Sequence, residues 1–169
     1  MDMRYTRTEN LLRNALYELG KTKDIYEITV SELTQKAEIN RLSFYLHYDN
    51  IEHFISTLED EYIECFVKKM APFSDFLDNP ESIIKRMMTF YQNENSTIFM
   101  KGSKSYLFTQ KGMNRIIHEI IQNSNVDDDS FRLKVIFIEN GIKGVFDNNK
   151  IPDDKTIKQL AHIIKCVLT

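Results

Sequence analysis

Apolar residues recur at three- and four-residue intervals along the chain, with no strand-like alternation, so the pattern predicts helices throughout. Leu11, Leu12, Ala15, Leu16 and Leu19 line one face of a first helix that should begin near Thr6 or Thr8. The stretch from Thr29 to Tyr48 then reads as two short helices joined by a tight turn. Thr29 and Glu32 make a capping box that fixes where the first of the pair starts. Val30, Leu33 and Ala37 give it one narrow apolar stripe, and Glu38-Ile39-Asn40 breaks the pattern. Ile39 is expected to be buried in the turn, and Asn40 is a good N-cap for the next helix. In that helix Phe44 and Tyr48 should face inward, leaving Arg41, Leu42, Ser43, Tyr45 and His47 for other work.

Beyond this stretch the chain reads as helices with punctuation. A fourth helix from Asp49 or Asn50 to about Met70 carries Phe54, Leu58, Tyr62 and Phe66 on one side, and Pro72 stops it. Asn79-Pro80-Glu81 restarts the chain with proline at the first helical position, ahead of a stripe of Ile83, Ile84, Met87, Met88 and Tyr91. A short helix near Thr97 to Gly102 and a longer one from about Ser105 to Ser124, with Ile116, Ile117, Ile120 and Ile121, follow. Asp127-Asp128-Asp129-Ser130 caps the next, Phe131 to Phe146, which is apolar nearly all round and so should be buried on more than one side. After Ile151-Pro152-Asp153 the last helix carries Ile157, Leu160, Ala161, Ile164, Val167 and Leu168. The fold class is all-α, with about nine helices.

Composition adds bounds. At 169 residues, 42% hydrophobic and 28% charged, the chain can bury a core in one domain-sized unit or two fused ones. Cys65 and Cys166 lie far apart without ligand-like spacing, which suits a reducing compartment without a disulfide. His47, His53, His118 and His162 form no ligand pairs, and neither cysteine has an evident histidine partner by spacing, so neither metal nor cofactor is expected. His118-Glu119 lacks the second histidine of a zinc-binding helix, and with five glycines there is no phosphate-cradling loop, so an enzyme is not expected. No apolar run approaches the roughly 20 residues of a membrane span, and the short polar start does not read as a secretory signal. A cytoplasmic location follows as an expectation, and the glycosylation pattern at Asn95-Ser96-Thr97 is set aside. Net charge is −3, and residues 1–55 hold seven basic groups against nine acidic ones, so no basic patch exists by count. Arg4, Arg7, Lys36 and Arg41 are nonetheless placed to form a focused positive strip.

The run from Asn40 to Phe54, read with the Leu19-Gly20 ending and the Ile28-Thr29-Val30 approach, resembles the signature closing the DNA-binding domain of TetR-family transcriptional regulators. The likeness covers about the first third of the chain and is architectural beyond it. It implies a three-helix helix-turn-helix domain over residues 1–50, fused to a helical effector-binding and dimerisation domain over 51–169. Arg41, Leu42 and Ser43 would face bases, and Tyr45 and His47 phosphates. Asn40 would open the recognition helix, and Thr29 would touch a phosphate or serve only as a cap. The expected partners are a double-stranded operator and a second copy of the chain. That copy would pair through Val135, Ile138, Ile142, Ile157, Leu160, Ile164 and Val167, unless those stripes pack within one chain. Phe66, Met70, Met87, Phe90, Tyr91, Phe99, Phe108 and Met113 would line a pocket for a small apolar or aromatic effector, or else form plain core. The implied function is a dimeric repressor released from a two-fold operator when an effector tilts the fourth helix. The alternative is an adaptor or co-activator working through protein contacts. Three positions depart from the family pattern: Glu38 stands where glycine is usual, Ile51 where a lysine is, and Leu46 where an aromatic is.

Overall fold

The computed structural model describes residues 3–92, 94–124, 129–146 and 152–168, and among these every regular element is helical. Ten helices follow in order: α1 (Met3–Gly20), α2 (Val30–Lys36), α3 (Arg41–Tyr45), α4 (Ile51–Met70), α5 (Asp75–Asp78), α6 (Pro80–Tyr91), α7 (Glu94–Lys101), α8 (Ser105–Ser124), α9 (Asp129–Phe146) and α10 (Asp154–Leu168). A 3₁₀ turn at Ile25–Glu27 lies between α1 and α2. The one helix not foreseen is the four-residue α5, too short for any periodicity to show. No described helix is long and apolar enough to cross a membrane. The expected acids Asp127 and Asp128, and Ile151, lie outside the described residues.

The chain forms two compact units, one of Met1–Ile63 with Glu94–Thr109, the other of Glu64–Asn93 with Gln110–Thr169. This differs from a boundary at residue 50: the division falls inside α4, and the first unit recruits a segment remote in sequence.

In the first unit Leu12, Leu16, Leu33, Phe44 and Phe54 are wholly covered. Each such side chain contributes roughly 1.5–3 kcal/mol relative to exposure. Phe44, Tyr48 and Phe54 pack as an aromatic cluster, with ring centroids 5.7 Å apart for Phe44–Tyr48 and 4.8 Å for Tyr48–Phe54. Helix α1 starts a turn earlier than expected because its first turns have partners: the Tyr5 ring stacks on His47 at 3.9 Å, and Glu9 accepts the Tyr48 hydroxyl at 3.3 Å. The remote segment is bound by Asp24, which accepts the Ser103 backbone N–H at 2.6 Å, and by Tyr62 packed on Phe99 and Phe108. Gly20 permits the close approach of Ile25 and Ile98, since a Cβ there would meet their methyls at 2.9 and 3.0 Å.

In the second unit α6 packs on α10 and α10 on α9. Ile84 of α6, Val135 of α9 and Ile164 of α10 are essentially inaccessible. Asp153 caps α10, accepting the Thr156 N–H at 2.8 Å. Arg86 donates to the Asp75 carboxylate, the Ser82 hydroxyl and the Met70 carbonyl at 2.7, 2.7 and 2.9 Å, which ties α5 and α6 to the end of α4.

One sequence expectation is corrected in this unit. Val135, Ile138, Ile142, Ile157 and Ile164 are buried within the single chain, so these five are core and not a waiting interface, while Leu160 and Val167 are half-buried. The amphipathic stripes of α9 and α10 cover one another and α6. What α9 leaves outside is Leu133 and Phe137, 67% and 69% exposed, with Ile136, Gly141 and Gly144 also exposed. The described effector-pocket residues are buried, as either a pocket lining or plain core would be. Phe99 and Phe108 stack on each other in the first unit, whereas Phe66 packs on Phe90 at 4.8 Å in the second, beside buried Met70, Met87 and Met113. The Tyr91 side chain lies outside the described part.

Candidate nucleic-acid interface

Helix α3 has only five residues, well below the length at which a helix persists alone in water, so its position is set by its ends and its buried face. At its start the Asn40 side chain accepts the Leu42 N–H at 2.9 Å. Phe44 and Tyr48 anchor it below. Its predecessor α2 is fixed by the capping box: the Thr29 hydroxyl accepts the Glu32 N–H at 3.2 Å, and the Glu32 carboxylate accepts the Thr29 N–H at 2.9 Å. Lys23 pairs with the same carboxylate at 2.7 Å. Together these contacts hold the Glu32 pKa down to about 2, with the Lys23 bond the largest cause.

The turn between them is a Schellman closure. The Ile39 N–H donates to the Thr34 carbonyl at 3.0 Å and the Glu38 N–H to the Gln35 carbonyl at 3.2 Å. This geometry requires a left-handed residue just past the helix end, and Glu38 takes it at φ 56°. Glycine would sit there without strain. Ile39, expected to be buried, is half-buried.

With the inner face anchored, the outer arc of α3 is free. Arg41, Leu42, Tyr45 and Asn40 are exposed, Ser43 is half-buried, and Thr29 is exposed at the mouth of α2. The Arg41 guanidinium donates to the Ser31 hydroxyl of α2, which sets its direction and leaves a group with donors to spare. His47 departs from the expected phosphate-facing position. Tyr5 covers its ring, its side chain is 6% exposed, and its Nδ1 lies 3.9 Å from Glu9, beyond hydrogen-bond reach. Leu46, in contrast, is 82% exposed. Ser31 and Tyr5 act on this surface from other elements, and no local pattern in α3 announces them.

Elsewhere, the second unit has a cleft of about 580 Å³ lined by Lys69, Lys85, Arg86, Ser82, Thr89 and Phe90, with Glu81 and Asn79. Of the expected pocket residues whose side chains are described, only Phe90 borders it. Among the described residues no three or more His, Cys, Asp or Glu gather as a metal site. The expectation that neither cysteine has a histidine partner does not hold: Cys166 Sγ lies 3.6 Å from His162 Nε2, one helical turn away on α10. That four-residue spacing was open to view in the sequence.

Two short helices, a four-residue turn carrying a left-handed residue, and an exposed outer face on the second helix define a helix-turn-helix. No protein-family profile matches the chain. Over 59 residues, 34% of its length, it is 37% identical to a Bacillus subtilis (strain 168) protein described as the uncharacterized HTH-type transcriptional regulator YxbF. The chain spans only 16% of the length of that relative.

Proposed function

We propose that this chain is a DNA-binding transcriptional regulator that places α3 in the major groove. The observation carrying the reading is the division of α3 into an inner face held by Phe44 and Tyr48 and an outer face of Arg41, Leu42 and Tyr45 that touches little else. In a helix-turn-helix the second helix enters the groove and its first residues reach base edges. Likeness over part of the chain to an HTH-type regulator supports the same reading. Membership of the TetR family, repression rather than activation, and a cytoplasmic location belong to this proposal.

The regulator acts as a homodimer on a two-fold site, since paired helices gain contacts one turn of DNA apart, about 34 Å. The second copy packs on the outward face of α9, where Leu133 and Phe137 stand exposed and a Cβ at Gly141 or Gly144 would meet nothing within 4 Å. Small residues beside large apolar ones allow a partner helix to approach closely. Effector control enters through the cleft beside Phe90, in whose polar lining Lys85 pairs with Glu81 and Arg86 with Asp75.

Selection of bound fragments from random duplex DNA at low salt tests the core of this proposal. Enrichment of a site with two-fold symmetry supports it, and no enrichment replaces it with an adaptor acting through protein contacts. For the dimer, Phe137→Glu should give a monomer by light scattering with an unchanged helical spectrum. A Phe137→Glu protein that remains dimeric refutes the α9 face.

A further inference from the structure

The outer arc of α3 is apolar rather than basic. At about 100° per residue, Arg41, Tyr45, Leu42 and the C-cap Leu46 fall on one arc of about 140°, with the buried Phe44 outside it. Leu42 is 72% exposed, Leu46 82% and Tyr45 54%, while the single cation on the arc is tethered to Ser31. Scattered exposed apolar residues need no explanation, but Leu42 and Tyr45 on a five-residue helix, with Leu46 at its C-cap, adjoin in a patch that water disfavours. The net-acidic composition of residues 1–55 points the same way, since it leaves phosphate charge to a few focused cations. In the major groove the aliphatic group presented by a base pair is the C5-methyl of thymine, and apolar side chains are its partners.

We infer that α3 reads thymine methyl groups through Leu42, Tyr45 and Leu46, so that each half-site is rich in T·A pairs where α3 lies. Arg41, oriented by Ser31, sets the register from the flank. This rests on the proposal that α3 enters the major groove.

The test uses the full chain in two stages. Selection from random duplex DNA first yields the preferred site. Each thymidine in that site is then replaced by deoxyuridine, which removes the methyl and leaves every hydrogen-bonding group in place. Loss of a contacted methyl should weaken binding about fourfold per position. Leu42→Ala should weaken binding to the thymidine duplex and lose sensitivity to deoxyuridine at its own position, with an unchanged circular dichroism spectrum. A selected site bound equally well with deoxyuridine throughout overturns the methyl reading while the DNA-binding proposal stands. No selected site at all overturns both, and assigns the apolar arc to a protein partner.

Discussion

The first unit and the second hold their helices in different ways. Around α2 and α3, short elements are positioned by hydrogen-bonded ends and an aromatic cluster: the Thr29–Glu32 box, the Asn40 cap, and Phe44 against Tyr48 and Phe54. Helices α6, α9 and α10 are longer and are positioned by aliphatic stripes that pack through α10, with Ile84, Val135 and Ile164 at the centre. A capped short helix can leave most of its circumference bare without moving. A long helix fixed by its stripe keeps bare only the side opposite that stripe. Exposed apolar groups occur in both units, on α3 and on α9, but by these two separate routes.

The sharpest way to break the contrast is Phe44→Ala, which removes the fully covered anchor of α3 and should cost about 3–5 kcal/mol in chemical denaturation. A cost below about 1 kcal/mol would mean that the caps suffice. Ile164→Ala, its counterpart in the aliphatic core, should cost about 2–5 kcal/mol, whereas the exposed Phe137→Glu should leave monomer stability within about 0.5 kcal/mol. Equal damage from both substitutions would erase the distinction between the inner and outer sides of these helices. Thr29→Ala should cost about 1 kcal/mol by opening the capping box.

The same box has a pH signature. Glu32 is held at about 2 against an ordinary value of 4.5, so its carboxylate stabilises the folded chain above the ordinary value. That contribution falls away as pH drops from about 4.5 towards 2, and it should be missing from the acid melting profile of Glu32→Gln. Smallest of all, Glu38→Gly relieves a left-handed residue and should raise stability by roughly 0.5–1 kcal/mol, visible as a higher melting temperature.

What was legible in the sequence follows the same divide. Local signals were read correctly: the capping box, the Asn40 cap, the inward Phe44 and Tyr48, and the bounds of α8. These depend on residues three or four apart. The misreadings depend on what lies across from a residue. Periodicity identified Val135 and Ile164 as covered but not by what, and the cover is the chain itself. Met70, Phe90 and Phe99 read equally well as pocket or core, and burial suits both, with Phe90 also bordering the cleft. His47 is turned from phosphate-facing to covered by Tyr5, a residue 42 positions earlier that no local pattern connects to it.

The segment Glu94–Thr109 has a consequence for modularity. Ile98 sits against Gly20, and Phe99 and Phe108 pack on Tyr62, so the floor beneath α1 and α4 is laid by residues that arrive late in the chain. A fragment stopping after Ile63 would carry both short helices and their caps yet lack that floor, baring an oily underside. The helix-turn-helix is thus an inseparable part of its host, and grafting it elsewhere would require carrying a distant stretch along with it.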